Sequence, residues 1–195
     1  MSMRALAPVL GEAAGGRLPA WAQATADRRA HIARVAALLD AWAAALALPE
    51  RERQRWRAAG WLHDALRDAP PRELRPLVPE AQRSWPGALL HGPAVAARLR
   101  ELGVRDEPLL RAITYHTLGH PDLELLGKAL YLADFLEPGR AFDPLRRASL
   151  RARMPAALEE VLREVAAARL HHVIESRRLL RPESVAFWNA LVGAA

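Results

Sequence analysis

Apolar residues recur at three- and four-residue steps along most of the chain, and nowhere do they alternate over the length of a strand. Ile32, Val35, Leu38, Leu39, Trp42 and Leu46 make one stripe of a helix that starts at Trp21 or Ala24 and runs to Leu48, where Pro49 stops it. A second helix, Glu50 to Arg67, carries Trp56, Ala59, Leu62 and Leu66 on one face. Five prolines (Pro70, Pro71, Pro76, Pro79, Pro86) then make 69–87 a long connection, a length that in a compact domain points to function or interaction. Further helices are predicted over Ala88–Leu102, closed by Gly103, over Glu107–Thr117, and over Leu123–Leu136, closed by Pro138-Gly139. Residues 144–180 read as helix with a restart at Pro155, and a short last helix covers Glu183–Val192. Residues 1–20 read as a mostly irregular lead-in, and 21–195 as a single helical domain with one core and no internal repeat.

Composition agrees. Ala, Leu and Arg dominate and β-branched residues are scarce, so the fold class is all-α. The net charge is +6, and because Lys128 is the only lysine, nearly all of the positive charge is arginine. A GC-rich genome accounts for the bulk of these arginines; a few are singled out below, because the planar guanidinium matches phosphate oxygens. Basic segments such as Arg51-Glu52-Arg53 and Arg146-Arg147 lack the interleaved aromatics of a single-strand binder, so nucleic acid is not the expected partner. The absence of cysteine excludes disulfides and thiolate-ligated metals. No apolar run reaches membrane-spanning length, and the first ten residues, broken by Pro8, are too short an apolar stretch for a signal peptide. A cytoplasmic protein is the expectation.

Chemistry concentrates in six residues. His31, His63, Asp64, His91, His116 and Asp134 each lie on or at the end of a predicted helix among apolar neighbours, as in Gly60-Trp-Leu-His-Asp64 and Tyr131-Leu-Ala-Asp134. A carboxylate so placed faces a severe desolvation cost unless it is paired or metal-bound. Imidazole and carboxylate together suit iron, manganese or zinc. On a helix, adjacent His63 and Asp64 would point about 100° apart, one able to anchor an ion while the other reaches between two.

The order His31…His63-Asp64…His91…His116…Asp134 resembles the HD-domain superfamily of metal-dependent phosphohydrolases in its two-metal form. The words Ala59-Gly-Trp-Leu-His-Asp64, Leu90-His-Gly-Pro-Ala94, Ala112-Ile-Thr-Tyr-His-Thr117 and Tyr131-Leu-Ala-Asp-Phe-Leu-Glu-Pro-Gly-Arg140 are similar to those of the YqeK family, over about Ala30 to Asn189. The resemblance implies an HD-domain helical bundle with a C-terminal helical extension. It also implies symmetrical hydrolysis of diadenosine tetraphosphate to two ADP, with two divalent metal ions, iron or a similar transition metal. His31, His63, Asp64 and Asp134 would hold the first ion and His91 and His116 the second, with Asp64 bridging; His63, Asp64 and Asp134 would form the catalytic centre. Two such cations acidify water and neutralise phosphate oxygens.

For substrate contacts the family motif points to Arg140, six residues after Asp134, alongside His31, His116 and Asp134 themselves. Arg67 stands where related proteins have lysine in His-Asp-x-x-Lys. Arg28 lies one turn before His31, and Thr117 follows His116. The stretch Leu180-Arg-Pro-Glu-Ser184 resembles a segment that approaches the nucleotide in that family, which adds Arg181, Pro182 and Ser184. Ala141-Phe-Asp-Pro144 is shorter than the family's turn after Arg140, and Leu118 replaces a small polar residue. His120 is expected in a solvated turn and His171-His172 on a helix surface. The partners expected are the nucleotide substrate and its ADP product, with a homodimer admitted and no membrane. Other readings are a different nucleotide phosphatase of the same superfamily, a non-catalytic metal- and nucleotide-binding regulatory module, and a basic RNA-associated protein.

Overall fold

The computed structural model describes residues 6–193; residues 1–5 of the expected lead-in and residues 194–195 lie outside them. The elements are α1 (Pro8–Ala14), α2 (Ala26–Ala45), α3 (Glu50–Leu62), α4 (Pro71–Leu74), α5 (His91–Glu101), α6 (Glu107–Tyr115), α7 (Leu125–Leu136), α8 (Pro144–Ala152), α9 (Leu158–Glu175) and α10 (Pro182–Gly193). Short 3₁₀ turns cover Glu80–Gln82 and Gly87–Leu89. There is no strand among the described residues, so the all-α expectation holds.

The middle of the bundle is α7. Leu126, Ala129, Leu130, Tyr131, Leu132, Ala133 and Leu136 are all buried on it, a helix apolar nearly all round, as a core helix is. It packs against α2, α3, α6, α8 and α9, while α1 lies on α3 and α10 on α9. Asp134 therefore sits in the core because its helix does.

The first third of the chain brings one addition and one correction. Within the lead-in a short helix is added: α1 forms there, with Pro8 in its first turn, where a missing N–H costs nothing, and Leu10 and Ala13 buried on one face. The second helix stops at Leu62 and not at Arg67. Beyond it, Gln23 donates its N–H to the Ala65 carbonyl and accepts from the Asp68 N–H, and Asp68 in turn accepts from the N–H and hydroxyl of Thr25. These bonds to the irregular stretch before α2 replace helical ones, so residues 63–68 turn off the helix axis.

Two glycines set the spacing of the site. A Cβ on Gly60 would lie 2.6 Å from the Cα of Ala36, so α2 and α3 touch backbone to backbone there. A Cβ on Gly92 would lie 2.6 Å from the Ile113 carbonyl oxygen, which does the same for α5 and α6. One contact brings His31 to His63, with ring centroids 5.5 Å apart, and the other brings His91 to His116, at 5.0 Å.

Candidate metal centre

Three histidines of the site share one device. His63 and His116 cap the C-termini of α3 and α6, and His91 opens α5 directly after a 3₁₀ turn. In each case Nδ1 bonds the carbonyl three residues back: Gly60 at 2.7 Å, Ile113 at 2.8 Å and Ala88 at 3.0 Å. Carbonyls in a last helical turn lack partners of their own, which is why a ring can be held there. A carbonyl only accepts, so Nδ1 carries the proton, and Nε2 of the neutral ring presents a lone pair. The fourth ring, His31 on α2, is oriented through Nδ1 by the buried carboxylate of Glu137, 3.2 Å away.

All four Nε2 atoms converge on Asp64. Its Oδ1 lies 3.1 Å from Nε2 of His91 and 3.5 Å from that of His116; its Oδ2 lies 3.6 Å from Nε2 of His31 and 3.8 Å from that of His63. The two carboxylate oxygens thus face two separate histidine pairs. Asp134 joins the first pair, with Oδ1 3.3 Å from Nε2 of His31. Ligand atoms of His31, His63 and Asp64 lie within 4.8 Å of one another, and so do those of Asp64, His91 and His116. The six residues named from the sequence are brought together, and all six are buried. His63 and Asp64, expected along a helix, instead occupy its cap and the turn after it, which aims both inward.

The donor set fits divalent cations on two counts. Nε2 of His31 and of His63 are buried and have no hydrogen-bond partner. Nε2 of His91 and of His116 are 3.1 Å apart, two lone pairs that repel unless something positive lies between or beside them. Burial pushes the His63 imidazole down to about 4 and lowers His91 as well, so both rings are neutral near pH 7, the form that can ligate a metal. Burial opposes ionisation of Asp64, but the imidazoles of His63, His116 and His91 outweigh it and hold the carboxyl well below the usual range. For Asp134 burial is likewise outweighed, by His31, Arg169 and Arg140.

Arginines close the site from above. Arg28 reaches Asp64 Oδ2 at 2.7 Å, Arg140 reaches Asp134 Oδ1 at 2.6 Å, and Arg169 reaches Asp134 Oδ2 at 3.0 Å. They line a cavity of about 1100 Å³ whose walls carry eight arginines against four carboxylates. Arg67 also faces it and has no carboxylate partner among the described residues. Thr117, Arg181 and Ser184 line the cavity, Ser184 donating its hydroxyl to the Leu118 carbonyl at 2.8 Å. Pro182 does not; it opens α10. His171 and His172 are exposed at the cavity's edge, and His120 is half-buried against the Tyr115 ring, 4.5 Å between centroids, where a solvated turn was expected.

Two residues at the centre carry no signal that stood out in the sequence. Glu137, 2% exposed, accepts from His31, from Arg34 and, at 2.7 Å, from the Gly139 N–H. Arg169 on α9 donates to the Thr117 carbonyl at 2.9 Å, packs over the Tyr131 ring at 4.4 Å, and keeps a buried Nε–H without an acceptor. The i, i+3 step from Asp134 to Glu137 was the available clue to the first. Nothing local points to the second, which lies 35 residues from its partner.

Known proteins bear on this arrangement. The chain is 29% identical over 147 residues to the symmetrical bis(5'-nucleosyl)-tetraphosphatase of Halalkalibacterium halodurans, covering 72% of this chain and 78% of that one. It is 40% identical over 92 residues to the protein of the same name from Bacillus subtilis, covering 43% and 48%. In the second case it spans about half of the relative's length. A crystal structure described as an HD superfamily hydrolase involved in NAD metabolism, from Clostridium acetobutylicum, superposes over 100% of both chains with a TM-score of 0.78 at 23% identity, which shows the fold. The HD domain family model matches residues 28–139, more than half of the chain and the span from Arg28 to Gly139 that holds all six metal-ligand candidates. The chain belongs to the HD-domain family of metal-dependent hydrolases.

Proposed function

We propose that this protein hydrolyses diadenosine tetraphosphate symmetrically to two ADP at a centre of two divalent cations, with iron the first candidate and manganese or another transition metal the alternative. The names of its curated relatives support the substrate. The observation that carries the reading is Asp64, whose two oxygens face two histidine pairs beneath a cavity lined with guanidinium groups. His31, His63, Asp64 and Asp134 would hold one ion, and Asp64, His91 and His116 the other. When bound, the ions acidify water and neutralise phosphate oxygens as charge moves to the leaving group.

The chain's own residues supply the rest. His63 is fully buried and lines no part of the cavity, so its part is to hold an ion and not to protonate a leaving group. ADP leaves as an anion, and Arg67, Arg140 and Arg169 put positive charge where phosphates enter. Arg28 and Thr117 extend that surface, while Arg181 and Ser184 belong to the wall formed at the start of α10. Pro182 would act by fixing the entry of α10.

The test is product analysis. Protein loaded with Fe²⁺ or Mn²⁺ should convert diadenosine tetraphosphate to ADP as the sole nucleotide product. AMP plus ATP would refute symmetrical cleavage, and tight ADP binding without turnover would favour a regulatory module.

A further inference from the structure

The cavity reaches well past the two histidine pairs. Its volume of about 1100 Å³ exceeds the roughly 300–1,000 Å³ usual for a cleft that encloses one drug-sized ligand. Its lining comes from several parts of the chain, two of which bear on what it can hold. One is built by Leu118, Ser184 and Phe187; the other is the turn that leads from Arg140 into α8. On that turn stands Phe142, 78% exposed and the only exposed Phe, Tyr or Trp among the described residues. A ring left in water at a cavity wall has a large apolar face without a partner.

The turn is held in place. The buried guanidinium of Arg147 donates through Nε to the Phe142 carbonyl at 2.6 Å, donates to the Phe135 carbonyl, and packs 4.0 Å over the Phe135 ring. Asp143 next to it adopts a left-handed backbone, φ 49°, uncommon outside glycine, and caps α8 through the Arg146 N–H at 3.4 Å. Phe142 is thus presented on a fixed backbone with its side chain free. Arg140, two residues earlier, touches Asp134, and two residues span at most ~7 Å of chain. A phosphate chain lying across the centre can therefore carry a base to this ring. Arg146, on the first turn of α8, lines the same cavity, and its guanidinium has no carboxylate partner among the described residues.

Resting on the reading of the substrate as a dinucleotide, we propose that Phe142 is the stacking platform for its second nucleoside, with Arg146 beside it for the adjoining phosphate. This wall then selects two-nucleoside over one-nucleoside ligands. Stacking of a base on an aromatic ring is worth about 1–3 kcal/mol by alanine substitution, a factor of about 5 to about 140 in affinity.

The experiment compares Phe142→Ala and Phe142→Trp with the wild type, all Mn²⁺-loaded, for binding of a methylene-bridged diadenosine tetraphosphate analogue and of ADP. Phe142→Ala should weaken the analogue at least about fivefold and shift ADP by less than about twofold; Phe142→Trp should restore the analogue. Equal weakening of both ligands, or no change in either, overturns the proposal. So does a wild-type dimer that Phe142→Ala dissociates, since the ring would then serve a second copy. Wild-type protein that binds the analogue but does not cleave diadenosine tetraphosphate refutes the proposed activity and leaves the Phe142 comparison intact.

Discussion

Glu137→Gln isolates the residue that aims His31. The carboxylate has three donors around it: His31 Nδ1 at 3.2 Å, the Gly139 N–H at 2.7 Å and the Arg34 guanidinium. Burial opposes its charge, but Arg34, Gly139 and His31 outweigh that and keep it ionised near pH 7. An amide has one acceptor oxygen in place of two, so one of the three donors must meet an NH₂ group. If that donor is His31, Nδ1–H loses its acceptor, the other tautomer gains, and Nε2 carries a proton where a lone pair is needed. Partners of this kind are worth about 10- to 100-fold in metal affinity, roughly 1–3 kcal/mol. The ion pair to Arg34 adds little to stability, since that side chain is 38% exposed and screened by solvent. The assay is calorimetric titration of metal-free protein with Mn²⁺. Only the site that contains His31 should weaken, leaving the site of His91 and His116 as in the wild type. Equal weakening of both, or an unchanged isotherm with an unchanged melting temperature, would refute the role given to Glu137.

Other perturbations test other joints of the structure. Gly60→Val should separate α2 from α3, because the new side chain starts 2.6 Å from Ala36 Cα; overpacking of this kind costs about 1–3 kcal/mol, read by thermal melts, and metal binding should fall with it. Arg169→Met removes the bonds to Asp134 and Thr117 and should weaken ADP binding about tenfold or more, while an unchanged Kd would place Arg169 outside the site. Acid should destabilise the metal-free protein well above the carboxylate range. The folded-state pKa of His63, about 4, is below the ordinary 6.5, so the unfolded chain takes up a proton first and stability falls from pH 6.5 down to about 4. For this fully buried ring the loss is roughly 3 kcal/mol, or about 6–12 °C in melting temperature, and a melting temperature flat over that window in EDTA would refute it.

Eight of the ten helices and the six ligand candidates were open to sequence reasoning for one reason: each depends on local pattern. A carboxylate inside Tyr131-Leu-Ala-Asp134, on a helix apolar nearly all round, needs a compensating partner wherever it packs. The misses depend on contacts between distant segments. The helix through His63 ends early because Gln23 and Thr25 exchange hydrogen bonds with Ala65 and Asp68, far away in the chain. Pro8 reads as a break but serves as a helix start, since its missing N–H matters only in a helix interior. Arg169 looks like any other arginine on α9 until the fold lays it across Tyr131 and against Asp134.

The electrostatics of the centre argue that its arginines act in two settings. Asp64, Asp134 and Glu137 put three carboxylates in the core, and Arg28, Arg34, Arg140 and Arg169 sit against them. A core carboxylate with its partner removed is costly, so these pairs compensate charge that the core would otherwise leave unpaired. Four half-buried guanidinium groups, however, supply more donors than three carboxylates accept: the Nε–H of Arg28 turns away to Asp68 Oδ1, 3.5 Å off, and that of Arg169 is without a hydrogen-bond partner. An arrangement built only for its own neutrality would satisfy them. Arg28, Arg140 and Arg169 line the cavity, and a ligand rich in anionic oxygen would match guanidinium donors that the carboxylates do not use. Such an excess of donors predicts anion binding that does not depend on a metal, and a Kd for ADP that rises with salt on the metal-free protein would measure it directly.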